Sequence, residues 1–197
     1  MSYVIRVATL EEREALEKWA NGPTAPKIAK EFPFMWRRNQ NWETERNRPS
    51  VAWGAQDTSR ILGFHGTAYT KMGYANLYYI AVDTQFQGQH VGKQLMADAI
   101  KRAHALGMTR WTNKSHQGDT GEAFFTGRLG VQAVGMQGKD VVYDWSLEGI
   151  NTCDDIIAAA KAGTLNRVDQ IPERKIRQYS KYWNRVLASG ITLQDLK

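Results

Sequence analysis

Residues 87–92 read Gln87-Gly88-Gln89-His90-Val91-Gly92, directly after the turn Asp83-Thr84-Gln85-Phe86 and at the head of a helical stretch. Glycine lets a phosphate approach the backbone closely, and the first turn of a helix has N–H groups without intrahelical partners. Together they make an anion site into which a pyrophosphate would fit. A second position of chemical interest is His65, in Leu62-Gly63-Phe64-His65-Gly66-Thr67. Its ordinary pKa suits proton transfer near neutrality, and the neighbouring glycines are expected to leave room for a ligand. The bland alternative is a histidine satisfied by hydrogen bonds on a sheet. Glu122, Asp119 and His116 are further candidates for a base. The four histidines, His65, His90, His104 and His116, have no local metal-ligand spacing, and the lone Cys153 adds nothing, so no structural metal is expected. Neither a Gly-x-Ser-x-Gly elbow nor a Walker loop is present.

These groups need elements to hold them. Tyr3 to Ala8 alternates like a strand, and Thr9 with Glu12 reads as a capping box opening a helix from Leu10 to about Ala20. Strands are predicted over Ser50 to Gln56, Ile61 to about Lys71 and Leu77 to Val82, joined by connectors of hairpin composition, so this part of the sheet is expected to be antiparallel. The spacing predicts a helix from Val91 to Leu106 with Val91, Leu95, Ala99 and Ala103 on one stripe. Thr109 to Ser115 then reads as a strand, Asp119 to Leu129 as a helix, and Gly130 to Met136 with Lys139 to Leu147 as a final pair of strands. Strand, helix, strand at this spacing requires a crossover and a parallel pair. Beyond Glu148, Asp154 to Ala162 and Pro172 to Ser189 read as helices closed by Gly163 and Gly190.

The segment from Leu77 to Met96 resembles the acetyl-CoA-binding core of the GCN5-related N-acetyltransferases, the GNAT superfamily. Val82-Asp83 matches the family's strand end, Gln87 the first and Gly92 the last position of its Gln/Arg-x-x-Gly-x-Gly/Ala motif, and Leu95-Met96 the apolar pair that follows; His90 replaces the middle glycine. A weaker resemblance extends from Tyr3 to about Leu147. It implies an α/β (α+β) fold with a mixed, mostly antiparallel central sheet flanked by helices. The expected organisation is a GNAT-like domain over 1–147, with a basic helical extension over 148–197 packed on it. It also implies acetyl-CoA as cofactor, held by Ile80, Ala81, Val82, Gln87, Gly88, Gln89, His90, Val91, Gly92 and Lys93, its pantetheine lying in a cleft beside the anion turn.

Acyl transfer from a thioester to an amine needs a base for the amine proton, an N–H donor for the oxyanion and help for the departing thiolate. The resemblance implies the oxyanion donor at Ala81 or Val82 and a tyrosine acid, but Thr126 stands at the tyrosine position, Asp119 and Glu122 at two others, and only Gly130 is retained. Thr126, with Tyr143 as a substitute, is therefore the candidate acid. His65 leads the candidate bases, followed by Glu122. Related folds use the segment before the second strand as an acceptor wall, which here carries Phe32, Phe34, Trp36 and Trp42 among Arg37, Arg38, Arg46 and Arg48. Trp36, Arg37 and Tyr78 are the candidate substrate contacts.

The chain's 197 residues suit one core with an appendage, and 42% hydrophobic and 11% aromatic residues argue against disorder. A single cysteine and an N-terminus without a secretory pattern lead to the expectation of a cytoplasmic protein, and no apolar run approaches the ~20 residues of a membrane span. The net charge of +6 is unevenly placed: from Lys161 onward there are eight Lys/Arg against three Asp/Glu. That favours a polyanionic partner. The reading is an N-acetyltransferase, monomer or homodimer, whose amine acceptor is displayed on DNA or RNA as a modified base or an aminoacyl-tRNA. The rivals are a small-molecule or protein amine as acceptor, and a non-catalytic module that binds acyl-CoA or nucleic acid.

Overall fold

The computed structural model describes residues 2–31, 48–57 and 59–165. The chain divides into two compact units, Met1–Lys71 with Asn76–Leu106, and Met72–Ala75 with Gly107–Lys197.

In the first unit the strands run in the order β1 (Tyr3–Val7), β2 (Ser50–Gly54), β3 (Ile61–Tyr69) and β4 (Tyr74–Val82), the last beginning in the second unit. β1 with β2 and β2 with β3 are antiparallel. Helices α1 (Arg13–Ala20) and α2 (Val91–Ala105) complete the unit. β3 is buried at nearly every position, so it lacks the polar face of a half-exposed strand. One core cluster joins Leu16 and Ala20 of α1 to Val51, Phe64 and Ala81, with Trp19 edge-on to Phe64 at 5.8 Å. A second joins Val91 and Leu95 of α2 to Ala52, Leu62 and Phe86. Alternation of side chains along β4 explains the division: Ala81 belongs to the first cluster, while Ile80 and Val82 pack on the second.

Two boundaries differ from expectation. α1 starts at Arg13: the Glu12 carboxylate accepts from the Thr9 N–H at 2.8 Å, one half of the expected capping box, and pairs with Arg6, but no side chain caps the helix and residues 10–12 form a turn. β4 starts at Tyr74, three residues early, because Gly73 takes φ +79° and completes the hairpin there.

The second unit has strand order β5 (Arg110–His116), β7 (Asp140–Ser146), β6 (Gly135–Gln137), with both pairs antiparallel; the parallel pair expected across the helix does not form, because β7 lies between β5 and β6. Trp111 faces Trp145 across the β5/β7 pair and stacks on it at 5.7 Å. Helix α3 (Thr120–Glu122) runs on as a π-helical stretch, Ala123–Arg128, and Gly130 with φ +70° turns the chain out of it. Residues 131–134 are therefore irregular, and β6 is much shorter than the strand expected from Gly130. Helix α4 (Cys153–Lys161) opens on a complete capping box between Thr152 and Asp155. The expected helix over Pro172 to Ser189 lies outside the described residues. Within each unit the described pairings suit a mixed α/β fold of mostly antiparallel strands flanked by helices.

Candidate active site

The anion turn is built from its first residue. Asp83, only 4% exposed, ends β4, and its carboxylate accepts from Gln85 N–H (3.0 Å), Thr24 Oγ1 (2.5 Å) and Trp19 Nε1 (3.1 Å). This fixes a 3₁₀ turn, Thr84–Phe86, whose Phe86 is buried. Gln87 then folds back to donate from Nε2 to the Val82 carbonyl at 3.3 Å. Gly88 takes φ +81° with open space where a Cβ would stand. His90, the N-cap of α2, is the one non-glycine residue with positive φ among the described residues, at +64°. An L-residue in that conformation costs roughly 1–2 kcal/mol. The motif's glycine geometry is thus kept by a histidine, with the imidazole exposed and not capping the helix. The first intrahelical bond of α2 runs from Gln94 N–H to the His90 carbonyl, so the N–H groups of Val91 and Gly92 precede it. A Cβ on Gly92 would meet nothing nearer than Val82 Cγ2 at 3.6 Å.

His65 lies in the same unit, fully buried. Nε2–H donates to Asp98 Oδ2 of α2 at 3.0 Å, and Nδ1 accepts from the Thr67 hydroxyl at 3.0 Å, a tautomer that satisfies both partners. Arg102, one turn along α2, donates to Ser50 Oγ (3.0 Å) and the Arg48 carbonyl (3.2 Å) and lies over the Tyr69 ring at 5.4 Å. Burial pushes the Tyr69 phenol up to about 12. The geometry is that of an imidazole satisfied by hydrogen bonds, with both ring nitrogens engaged. The expected room at Gly63 is also filled: a Cβ there would meet the Ala81 carbonyl oxygen at 2.5 Å. Gly63 serves the close approach of two strands, and no ligand space opens at it.

Burial holds the His65 imidazole below its ordinary pKa, outweighing the pull of Asp98. Burial opposes ionisation of Asp98, but its bonds to His65 and Ser50 and the charge of Arg102 hold its carboxyl below the usual range. The folded histidine therefore binds protons less readily than the unfolded one, whose pKa is about 6.5. Its contribution to stability is present above that value and lost as pH falls towards the folded value. Urea unfolding of the wild type should lose up to about 1.4 kcal/mol per pH unit below pH ~6.5. In His65→Gln, less stable throughout, this dependence should flatten. A wild-type curve that stays level from pH 7.5 to 5 would remove the argument.

In the second unit the Tyr143 hydroxyl is buried between Thr126 Oγ1 at 2.9 Å and Ser115 Oγ at 3.4 Å. Thr126, on the π-helical stretch, is exposed. Two sequence candidates, Thr126 and Tyr143, are thereby brought into one hydroxyl chain. Glu122 and Asp119 are engaged locally: Asp119 Oδ1 accepts from Glu122 N–H at 2.8 Å, and Glu122 Oε2 accepts from Gly118 N–H at 2.6 Å. His116 donates from Nδ1 to Asp140 Oδ1 at 2.5 Å and is 62% exposed, which leaves Nε2 towards solvent.

The sequence model described as the acetyltransferase (GNAT) family matches residues 14–130, more than half of the chain. The chain belongs to the GNAT acetyltransferase family. No curated protein sequence matches it. Among solved structures, PaiA N-acetyltransferase from Thermoplasma acidophilum, in complex with coenzyme A, is similar with 19% identity and TM-score 0.54, over 73% of this chain and 98% of that one. The ribosomal-protein-S18-alanine N-acetyltransferase from Escherichia coli is similar with 17% identity and TM-score 0.53, over 74% and 94%. A GNAT-family acetyltransferase from Staphylococcus aureus has 13% identity and TM-score 0.55, over 74% and 99%. Such likenesses establish the fold.

This GNAT protein is an acyl-CoA-dependent N-acyltransferase, with acetyl-CoA as donor. The anion turn fits that group: Gly88 leaves open space where a Cβ would intrude, and the α2 start presents backbone donors. Of the expected cofactor residues, Ala81 is buried, Ile80 and Val82 are half-buried, and Gln87, Gly88, Gln89 and His90 are exposed around the turn. Tyr78 is 43% exposed on β4, while Trp36 and Arg37 lie outside the described residues. Sequence reasoning missed Asp98, although an acid seven residues after Val91 on an apolar helical stripe signals a buried partner. It also missed the three donors on Asp83, which come from residues scattered between positions 19 and 85. Among the described residues no helix is long and apolar enough to cross a membrane, and no group of three His, Cys, Asp or Glu could hold a metal.

Proposed function

We propose that the acceptor of this N-acetyltransferase is a primary amine displayed on a nucleic acid, an amine-bearing modified base in DNA or an aminoacyl-tRNA. The observation that carries the reading is the charge placement: eight Lys/Arg against three Asp/Glu from Lys161 onward, and an Arg- and Trp-rich run from Trp36 to Arg48. Cations neutralise phosphates and release counterions, while aromatic faces stack on bases. Trp36, Arg37 and Tyr78 are assigned to the acceptor on this ground. A polyamine acceptor would call for acidic residues where this run is rich in arginine.

The thioester supplies the activated acetyl group, and the chain's own groups handle the amine proton. An alkylamine is mostly protonated near neutrality and must lose a proton before it attacks. We assign that proton to His116, because Asp140 orients its ring and Nε2 faces solvent, whereas both nitrogens of His65 are engaged. Thr126, whose hydroxyl is hydrogen-bonded to Tyr143, is assigned to the leaving thiolate as a hydrogen-bond donor, and the thiolate takes its proton from water.

One experiment tests both levels. Binding of DNA and RNA is followed against salt for the wild type and for the triple neutralisation of Lys175, Arg177 and Lys181, and acetyl transfer is followed for the wild type, His116→Gln and His65→Gln. The triple variant should lower the log–log salt slope by about 2–3, at ~0.9 per lost phosphate contact. His116→Gln should lower the rate of acetyl transfer by about 10²–10⁴-fold, a loss that His65→Gln should not reproduce. Binding indifferent to salt and to the three changes would remove the nucleic-acid acceptor while leaving the family activity intact.

A further inference from the structure

Coenzyme A carries two anionic groups, a diphosphate and a separate ribose 3′-phosphate. Backbone donors at the α2 start and the bare backbone at Gly88 suit the diphosphate, but a terminal phosphate dianion calls for a cation. One cation is fixed against this turn. Arg60, on the loop between β2 and β3, donates its backbone N–H to the Asp57 carbonyl at 3.1 Å, and its own carbonyl accepts from Gly54 N–H at 2.9 Å. Its guanidinium lies 4.6 Å from the centroid of the buried Phe86 ring, and Nη2 donates to Gln85 Oε1 at 3.2 Å. Both Gln85 and Phe86 belong to the 3₁₀ turn that leads into Gln87-Gly88.

An exposed arginine ordinarily loses much rotamer freedom when it captures a ligand. Here that loss has largely been taken already, because backbone, ring and amide hold the side chain at both ends. A guanidinium has five N–H donors in a planar fork. Gln85 takes one, and among the described residues no other side chain accepts from Arg60. The remaining donors keep the bidentate geometry that suits a phosphate. Simple shielding of Phe86 would explain the ring contact, but not the second anchor through Gln85, which holds the fork at the edge of the anion turn.

We propose that Arg60 binds the ribose 3′-phosphate of coenzyme A and so sets the enzyme's preference for the phosphorylated cofactor. The inference rests on the acetyl-CoA reading of the Gln87–Gly92 turn. Its test is calorimetry of the full chain with coenzyme A and with 3′-dephospho-coenzyme A, for wild type, Arg60→Gln and Arg60→Lys. The wild type should bind coenzyme A about tenfold or more tightly than the dephospho form, one charge-assisted contact's worth. Arg60→Gln should lose that factor for coenzyme A alone, bringing the ratio close to one, and Arg60→Lys should recover part of it. Equal weakening of both ligands would overturn the proposal, since Arg60 would then serve the diphosphate or the turn itself. An unchanged ratio would overturn it as well. Failure of the wild type to bind either ligand would instead remove the cofactor reading on which it stands.

Discussion

Asp83→Ala is expected to lower stability by about 3–5 kcal/mol and to abolish measurable coenzyme A binding at ordinary concentrations. The carboxylate is buried and accepts from a backbone N–H, a hydroxyl and an indole N–H. Each buried donor left without a partner costs about 1–3 kcal/mol. Three are affected, but the Thr24 hydroxyl can turn elsewhere, so the sum falls short of three full penalties. Against a total stability of about 5–15 kcal/mol this is a large fraction, corresponding to a fall in Tm of roughly 10–15 °C for a chain of this size. Binding suffers because these same bonds hold the 3₁₀ turn that feeds Gln87–Gly92. Asp83→Asn, which keeps an acceptor oxygen, should lose about half as much stability. Urea unfolding with an unchanged m-value, for Asp83→Ala, Trp19→Phe and the double variant, isolates the indole bond; a coupling of about 1–2 kcal/mol is expected. A coupling near zero, with Asp83→Ala within 1 kcal/mol of wild type, would show that the carboxylate is not the hub of this turn.

The second large effect is expected at Gly63. An added Cβ would sit 2.5 Å from the Ala81 carbonyl oxygen, 3.1 Å from Val82 Cα and 3.2 Å from Leu95 Cδ1. Two of these are backbone atoms of β4 and cannot swing away. Overpacking of this kind costs about 1–3 kcal/mol, against which the reduced freedom of the unfolded chain offsets only ~0.4–1 kcal/mol. Gly63→Ala should therefore be destabilised by about 1–2 kcal/mol, and Gly63→Val by more. Displacement of Ala81 and Val82 moves the strand end on which Asp83 and the Gln87 hydrogen bond depend. Coenzyme A affinity should accordingly fall about tenfold or more. Trimming the flexible neighbour distinguishes the mechanism: Leu95→Ala should not rescue Gly63→Ala, because the tightest contact is to a backbone oxygen. Full rescue would place the strain in the side-chain packing of α2.

The hydroxyl chain and the His116–Asp140 pair of the second unit show how local the sequence signal was. Thr126 and Tyr143 were separately visible as oxygens of the right chemistry, one by motif position and one as a substitute. Their 2.9 Å contact depends on a π-helical turn, and its wider ring is invisible to a 3.6-residue periodicity. His116 and Asp140 are 24 residues apart and meet because β5 and β7 pair antiparallel with those two residues in register.

The sequence by itself determined the chain order of the described strands and helices, the apolar stripe of α2 and the glycine-bearing turn at Gln87–Gly92, because these depend on contacts within a few residues: alternation, helical spacing, glycine at a tight turn. It also carried the family motif, down to a histidine in a glycine's place. Only the tertiary structure decided what His65, Gly63 and Asp83 do. His65 meets Asp98 across 33 residues, Asp83 meets Trp19 across 64, and Gly63 is pressed by a neighbouring strand. Burial, pKa and steric room are properties of what packs around a residue, and no local pattern encodes the partners that long-range folding brings to it.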